Sequence, residues 1–271
     1  MAFFKDLGIG FSSHIKAIEF IAKHNLWLYF LWPLLIAIGL YVVGFTSTFY
    51  LGDLLAEKIT SWIQLDGEWE GWMDGLRKVL SFLVGFVLKL LMLVLFSSML
   101  KYIVLIICSP ILALLSERID EIVTGTTIPF NFGQLLHDML RGILITLRNM
   151  FLELAIWFGC LFIGIIPVLG WLLVWPLMGF KMVTAWYFLG FSMMDYSYER
   201  RRMKISEGVR FTRRHKGIAI ANGFLFSLLL MIPFLGISVA PVLSCVAATL
   251  AVLEAAKNDQ QQGQAQTLRT V

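Results

Sequence analysis

Charge is scarce in this 271-residue chain. Asp, Glu, Lys and Arg make up 15% of it, where soluble domains carry about a quarter. A water-soluble fold of this length would be short of polar surface. Cysteine is scarcer still: Cys108, Cys160 and Cys245 stand far apart within apolar runs, with no Cys-x-x-Cys pair. That spacing argues against a zinc site or a redox couple and leaves the three as small buried hydrophobes. His14, His24, His137 and His215 are scattered, so no metal ligation is expected. The chain lacks the Gly-x-x-x-x-Gly-Lys-[Ser/Thr] loop of an ATPase. It also lacks His-Glu-x-x-His and Gly-x-Ser-x-Gly. Neither an enzyme nor a cofactor is expected. Net charge is +4 and the isoelectric point about 9.0. With no nucleic-acid-binding motif, this balance reads as basic loops kept on the cytoplasmic side of a membrane.

What the chain has is apolar length. It is 59% hydrophobic with mean hydropathy +0.80, which places it among integral membrane proteins. An all-α fold follows, because long apolar runs satisfy their backbone groups in lipid as helices. One membrane domain over residues 1–256 is expected, with a Gln-rich, polar, disordered tail over 257–271. The N-terminus has mixed charge and the first long apolar run starts only near Leu26, so a cleavable leader is not expected.

Along the chain, Phe4, Leu7, Phe11, Ile15, Ile18 and Ile21 recur at helical spacing, predicting an amphipathic helix lying on the bilayer. Residues 26–52 are long enough to span. Residues 53–78 are polar and acidic overall. Residues 79–115 would reach roughly 50 Å as a helix, against a hydrocarbon core of about 30 Å. Lys89 and Lys101 fall inside this run. Lysines there snorkel, face a partner chain or line a polar path; snorkelling is the expectation for Lys101, while Lys89 divides evenly. A second amphipathic helix is predicted before residue 149, carrying Arg141 and Arg148. Two apolar segments then follow, at about 150–194 and 217–254. The most basic stretch, 195–216, joins them.

Each of these two segments is broken in the same way. Residues 164–171 contain Pro167-x-x-Gly170, and residues 230–237 contain Pro233-x-x-Gly236. A second proline follows each, at Pro176 and Pro241. Proline removes a donor and clashes with the preceding turn, so a straight helix through these points is not expected. The charge pattern supports the same reading. If the basic 195–216 connection is cytoplasmic and the acidic 53–78 connection is outside, each broken segment must enter and leave on one face. Two re-entrant hairpins do so, shallow ones because their first arms are short, and both termini are then cytoplasmic. Helices restarting at Gly170 and Gly236 would present unpaired N–H groups and a positive dipole end to a small anion. Lys89 and Arg148 are further candidate anion contacts. Glu153 could be proton-linked, or paired with Arg148 or Lys181. The rival reading is a scaffold that uses 195–216 to bind partners or anionic lipid.

One run is more specific than composition: Cys108-Ser109-Pro110-Ile111-Leu112-Ala113-Leu114-Leu115-Ser116-Glu117-Arg118, followed by Thr124-Gly125. With Ile166–Gly170, Asp195-Tyr196, Ile232-Pro233, Pro241 and Ala248-Thr249, it resembles the CysZ-like sulfate permease family, related to the etoposide-induced membrane proteins. The resemblance covers nearly the whole chain. It implies two long transmembrane helices with two hemi-penetrating helical hairpins, a homo-oligomer in the bacterial inner membrane, and sulfate uptake feeding cysteine synthesis. It also implies an N-terminal Gly-apolar-basic motif at the sulfate site. Here those positions fall on Ala17, Ile18 and Glu19, with Lys16 adjacent.

Overall fold

The computed structural model describes residues 2–62, 71–125, 132–166, 169–232 and 235–269, and among these every regular element is helical. Pro129, Pro167 and Pro233 lie outside the described residues, as do Asp66, Glu68 and Glu70. Among the described residues, four helical stretches are long and apolar enough to cross a membrane: Leu26–Trp62, Trp72–Thr124, Met139–Gly164 and Gly236–Gln261.

Helix α1 (Ala2–His24) ends at Asn25, whose left-handed φ of 54° redirects the chain into a short turn over Leu26–Phe30. Asparagine tolerates that conformation better than most residues. The face that α1 packs against the protein is Asp6, Ile9, Ser13, His14, Ala17 and Ile21, spaced three and four apart. Most of the apolar stripe visible in the sequence points elsewhere. Phe4, Phe11, Ile15 and Ile18 are exposed, which suits contact with lipid.

Helices α2 (Leu31–Trp62) and α3 (Trp72–Thr124) run antiparallel. Lys89 meets Asp53, and Gly44 lies against Phe96. The expected polar connection is thus mostly helix, and only the stretch between Trp62 and Trp72 joins the pair. At 53 residues α3 is about 80 Å long. Its first half exposes Phe82, Phe86 and Leu90, while Tyr102, Leu105, Leu112, Leu115 and Ile119 are buried. The run around Pro110 is therefore in the packed half of α3. Gly125 closes the helix at φ 72° with its N–H bonded to the Glu121 carbonyl, a left-handed cap that glycine supplies without strain.

Helix α4 (Phe132–Ile165) merges two segments expected to be separate, the amphipathic helix before 149 and the first arm of a broken segment. Helix α5 (Leu169–Arg200) packs antiparallel to it. Short helix α6 (Ile205–Arg214), then α7 (Lys216–Leu230) and α8 (Leu235–Arg269), complete the chain. One expectation is corrected here. Helices α5 and α8 continue through Pro176 and Pro241, so each second proline removes one donor without ending its helix. Helix α8 is described as far as Arg269.

Helix α8 is the hub. Its apolar window is 83% buried, and it packs against α1, α2, α3, α5 and α7. Small residues permit this, with Ala240, Ser244, Cys245, Ala247, Ala248, Ala251 and Ala255 all buried. The α5–α7 crossing is closer still. A Cβ on Gly190 would lie 1.9 Å from the Ala219 carbonyl oxygen, and one on Gly223 would lie 1.9 Å from that of Trp186.

Candidate functional site

Helix α4 buries Gly142, Ile145, Thr146, Asn149 and Glu153 along one stripe. Their spacing of three and four residues keeps them on one face. Burying three polar side chains in a helix able to cross a membrane is costly unless each finds a partner. The partners of Asn149 and Glu153 come from α3 and α5.

At one end, Glu153 is 2% exposed. Lys101 of α3 donates to its Oε1 at 2.7 Å, and the Tyr102 hydroxyl donates to Oε2 at 2.6 Å. Lys101 was expected to snorkel; instead its side chain is only 12% exposed and paired. Low exposure makes a counter-ion worth more than an outward reach to water. The partner of Glu153 is therefore neither Arg148 nor Lys181 but a residue 52 positions earlier. Lys181 of α5 lies nearby, its Nζ 5.5 Å from the Trp157 ring, and it feels the charges of both Glu153 and Lys101. Two lysines around one carboxylate leave a positive charge in excess. Beside Lys181, a cavity of about 170 Å³ opens between α4 and α5, lined by Trp157, Cys160 and Leu177.

One turn along, the Asn149 side-chain amide donates to the Phe188 carbonyl at 3.2 Å and to Ser192 Oγ at 2.8 Å. Asn149 Oδ1 has no partner among the described residues, and the same holds for Ser109 Oγ, Tyr196 Oη and Asp195 Oδ2. At the far end, Arg141 pairs with Asp195 at 3.0 Å and with Glu199 at 3.6 Å, and it donates to the Met203 carbonyl. From Arg141 to Glu153 the ladder covers about 18 Å, more than half the thickness of a hydrocarbon core. Ser116 of α3 donates to the Tyr196 carbonyl at 3.1 Å, and Arg200 pairs with Glu117 at 3.4 Å. The first residues of the basic 195–216 stretch are thus packed inside the protein. Only its later members, including Arg202, Lys204, Arg210, Arg213 and Arg214, are exposed.

The residues singled out in the sequence are spread over other elements. Lys16 of α1 pairs with Glu254 of α8 at 2.7 Å, and Lys89 of α3 with Asp53 of α2 at 2.6 Å. Arg148 is exposed on α4, off the polar stripe. Gly170 is the second residue of α5 and Gly236 the second of α8. The Gly236 N–H is bonded to the Ile232 carbonyl at 2.8 Å, and a Cβ there would sit 2.3 Å from the Leu229 oxygen. That amide is occupied, and the glycine lets the α7–α8 turn close. Among the described residues no hydrogen bond or ion pair joins any two of these five. None of the described residues forms a group of three His, Cys, Asp or Glu placed to hold a metal. What sequence reasoning missed is the ladder itself. The visible signal was Asn149 and Glu153, four residues apart in an apolar run.

A helical protein with four candidate spans and a buried polar ladder between three helices belongs to the integral membrane class. The family model described as sulfate transporter CysZ/etoposide-induced protein 2.4 matches residues 13–241, and the chain belongs to that family. It is 30% identical over 189 residues to the sulfate transporter CysZ of Vibrio parahaemolyticus, covering 68% of this chain and 75% of that protein. It is 27% identical over 201 residues to that of Vibrio atlanticus, covering 73% and 76%. The CysZ of Pectobacterium atrosepticum is 27% identical over 198 residues, covering 72% and 70%.

Proposed function

We propose that this protein carries sulfate across the bacterial inner membrane for sulfur assimilation and cysteine synthesis, with the α3–α4–α5 polar ladder as part of the anion's path. The observation that carries this reading is the Lys101–Glu153–Tyr102 cluster, with Lys181 beside it. A positive excess at a poorly solvated position favours a small anion. The unpartnered Asn149 Oδ1, Ser109 Oγ and Tyr196 Oη are sites for water, since buried polar atoms that find no protein partner are otherwise solvated. The names of the relatives support sulfate as the cargo.

The α4–α5 and α7–α8 pairs act as re-entrant hairpins in this proposal. Both termini lie in the cytoplasm, and the exposed apolar flank of α2 and α3 meets lipid and further copies of the chain in a homo-oligomer. Lys16, Lys89, Arg148, Gly170 and Gly236 remain proposed anion contacts outside the ladder.

The test is uptake of labelled sulfate into liposomes holding the purified protein, with selenate, phosphate and chloride as competitors. Saturable uptake blocked by selenate, and slowed by Lys181→Gln, is expected. An absence of saturable uptake of any oxyanion would defeat the proposal.

A further inference from the structure

A groove of about 870 Å³ lies between the start of α4 and the turn joining α5 to α6. Its volume suits a headgroup with the first carbons of its tails. We propose that it seats the headgroup of one anionic phospholipid. His137, Arg202 and Lys204 line it, with Leu140, Leu144 and Ile205 as its apolar wall. All six are exposed. Neither the Arg202 guanidinium nor the Lys204 ammonium is ion-paired with a carboxylate among the described residues. Arg141 also borders the groove, but Asp195, Glu199 and the Met203 carbonyl already engage its guanidinium.

The cations are held on a built turn. The N–H of Arg202 bonds to the Glu199 carbonyl at 2.8 Å, and that of Met203 to the Tyr198 carbonyl at 3.1 Å. The N–H of Lys204 bonds to Glu207 Oε2 at 2.8 Å. Arg202 takes a left-handed φ of 52°, uncommon for a residue other than glycine and sustained here by that network.

Two observations favour lipid over a free anion. A free oxyanion needs cations but no apolar wall, and this groove has three aliphatic side chains beside its charges. The groove also borders, through Leu140 and Leu144, the Met139–Gly164 stretch of α4, which is long and apolar enough to cross a membrane. The seat does not depend on which solute the protein carries.

Native mass spectrometry of the purified full chain, with phosphatidylglycerol and phosphatidylcholine of identical tails, tests the proposal. The wild type should retain phosphatidylglycerol preferentially, and 500 mM salt should weaken that preference relative to 50 mM. Each basic residue near such a surface contributes about fivefold, so Arg202→Gln with Lys204→Gln should lower retention by roughly 30-fold while leaving phosphatidylcholine unchanged. The charge-preserving pair Arg202→Lys and Lys204→Arg should retain the lipid, and Lys23→Gln with Lys58→Gln elsewhere should have no effect. Equal retention of both lipids by the wild type would overturn the proposal. So would undiminished retention by the Gln pair, or full displacement by inorganic phosphate, which would mark a free-anion site.

Discussion

Replacing Glu153 by Gln is the sharpest probe of the ladder. The glutamine can still accept from the Tyr102 hydroxyl, so that bond survives. The counter-ion 2.7 Å from Lys101 Nζ does not. With the Lys101 side chain 12% exposed and that of Glu153 3% exposed, little solvent is present to screen the loss. Breaking one side of a buried pair costs about 3–5 kcal/mol. At roughly 2–4 °C per kcal/mol, the midpoint of thermal unfolding should fall by about 6–20 °C. Lys101→Met alone should cost a similar amount, since it strands the carboxylate. The two together remove both charges and keep the tyrosine bond, so the double variant should recover to within about 2 kcal/mol of the wild type. Tryptophan fluorescence of the detergent-solubilised protein reads all four corners of the cycle. Small and additive effects, each under about 0.5 kcal/mol, would mean that the pair is not a buried ionic contact and that the ladder's charge balance is misjudged.

Gly223→Val drives a side chain into the Trp186 carbonyl, and overpacking of this kind costs about 1–3 kcal/mol or more; the yield of monodisperse protein should drop sharply, while Gly164→Ala, with open space around it, should not change it. Burial on α1 holds the His14 imidazole below its ordinary pKa, and its ring contacts the Gly10 carbonyl and Ser244. The neutral ring is the one the fold accepts, so stability is fully present above about pH 6.5 and falls as pH drops below it; His14→Gln should flatten that slope in pH-dependent melts. Met231→Cys, at an exposed site beside the α7–α8 turn, reports hairpin depth without the clash that any side chain at Gly236 would meet. Labelling by an impermeant reagent from outside should be slow for a shallow hairpin and rapid for one that reaches the far surface.

Much of the architecture is legible in the residues. The composition gives helices in a membrane, and the Pro-x-x-Gly breaks mark where α4 gives way to α5 and α7 to α8. The 3.6-residue rhythm finds α1 and its outward apolar stripe but does not reveal the face packed on the protein. That face is Ser13, His14 and Ala17, small and polar residues that hydrophobic patterning passes over, while Phe4, Ile15 and Ile18 remain outside. The prolines were over-read. A missing donor at Pro176 or Pro241 interrupts one hydrogen bond, and packing around α5 and α8 carries the helix on. The site was the least legible part because its pairings are long-range. Nothing near Glu153 in sequence announces Lys101 or Tyr102, and Arg141 meets Asp195 across 54 positions. Single cations such as Lys16 and Lys89 looked available because their partners, Glu254 and Asp53, sit on other helices.

The path itself can be read directly by cysteine modification. With Cys108, Cys160 and Cys245 changed to Ala, Thr146→Cys and Ser192→Cys place near-isosteric thiols on the ladder, and Ala240→Cys places one in the dry packing of α8. A negatively charged methanethiosulfonate reagent should modify the first two in reconstituted protein, sulfate should slow that reaction, and the third should stay inert. Thiols at 146 and 192 as unreactive as the one at 240 would contradict an anion path between α3, α4 and α5.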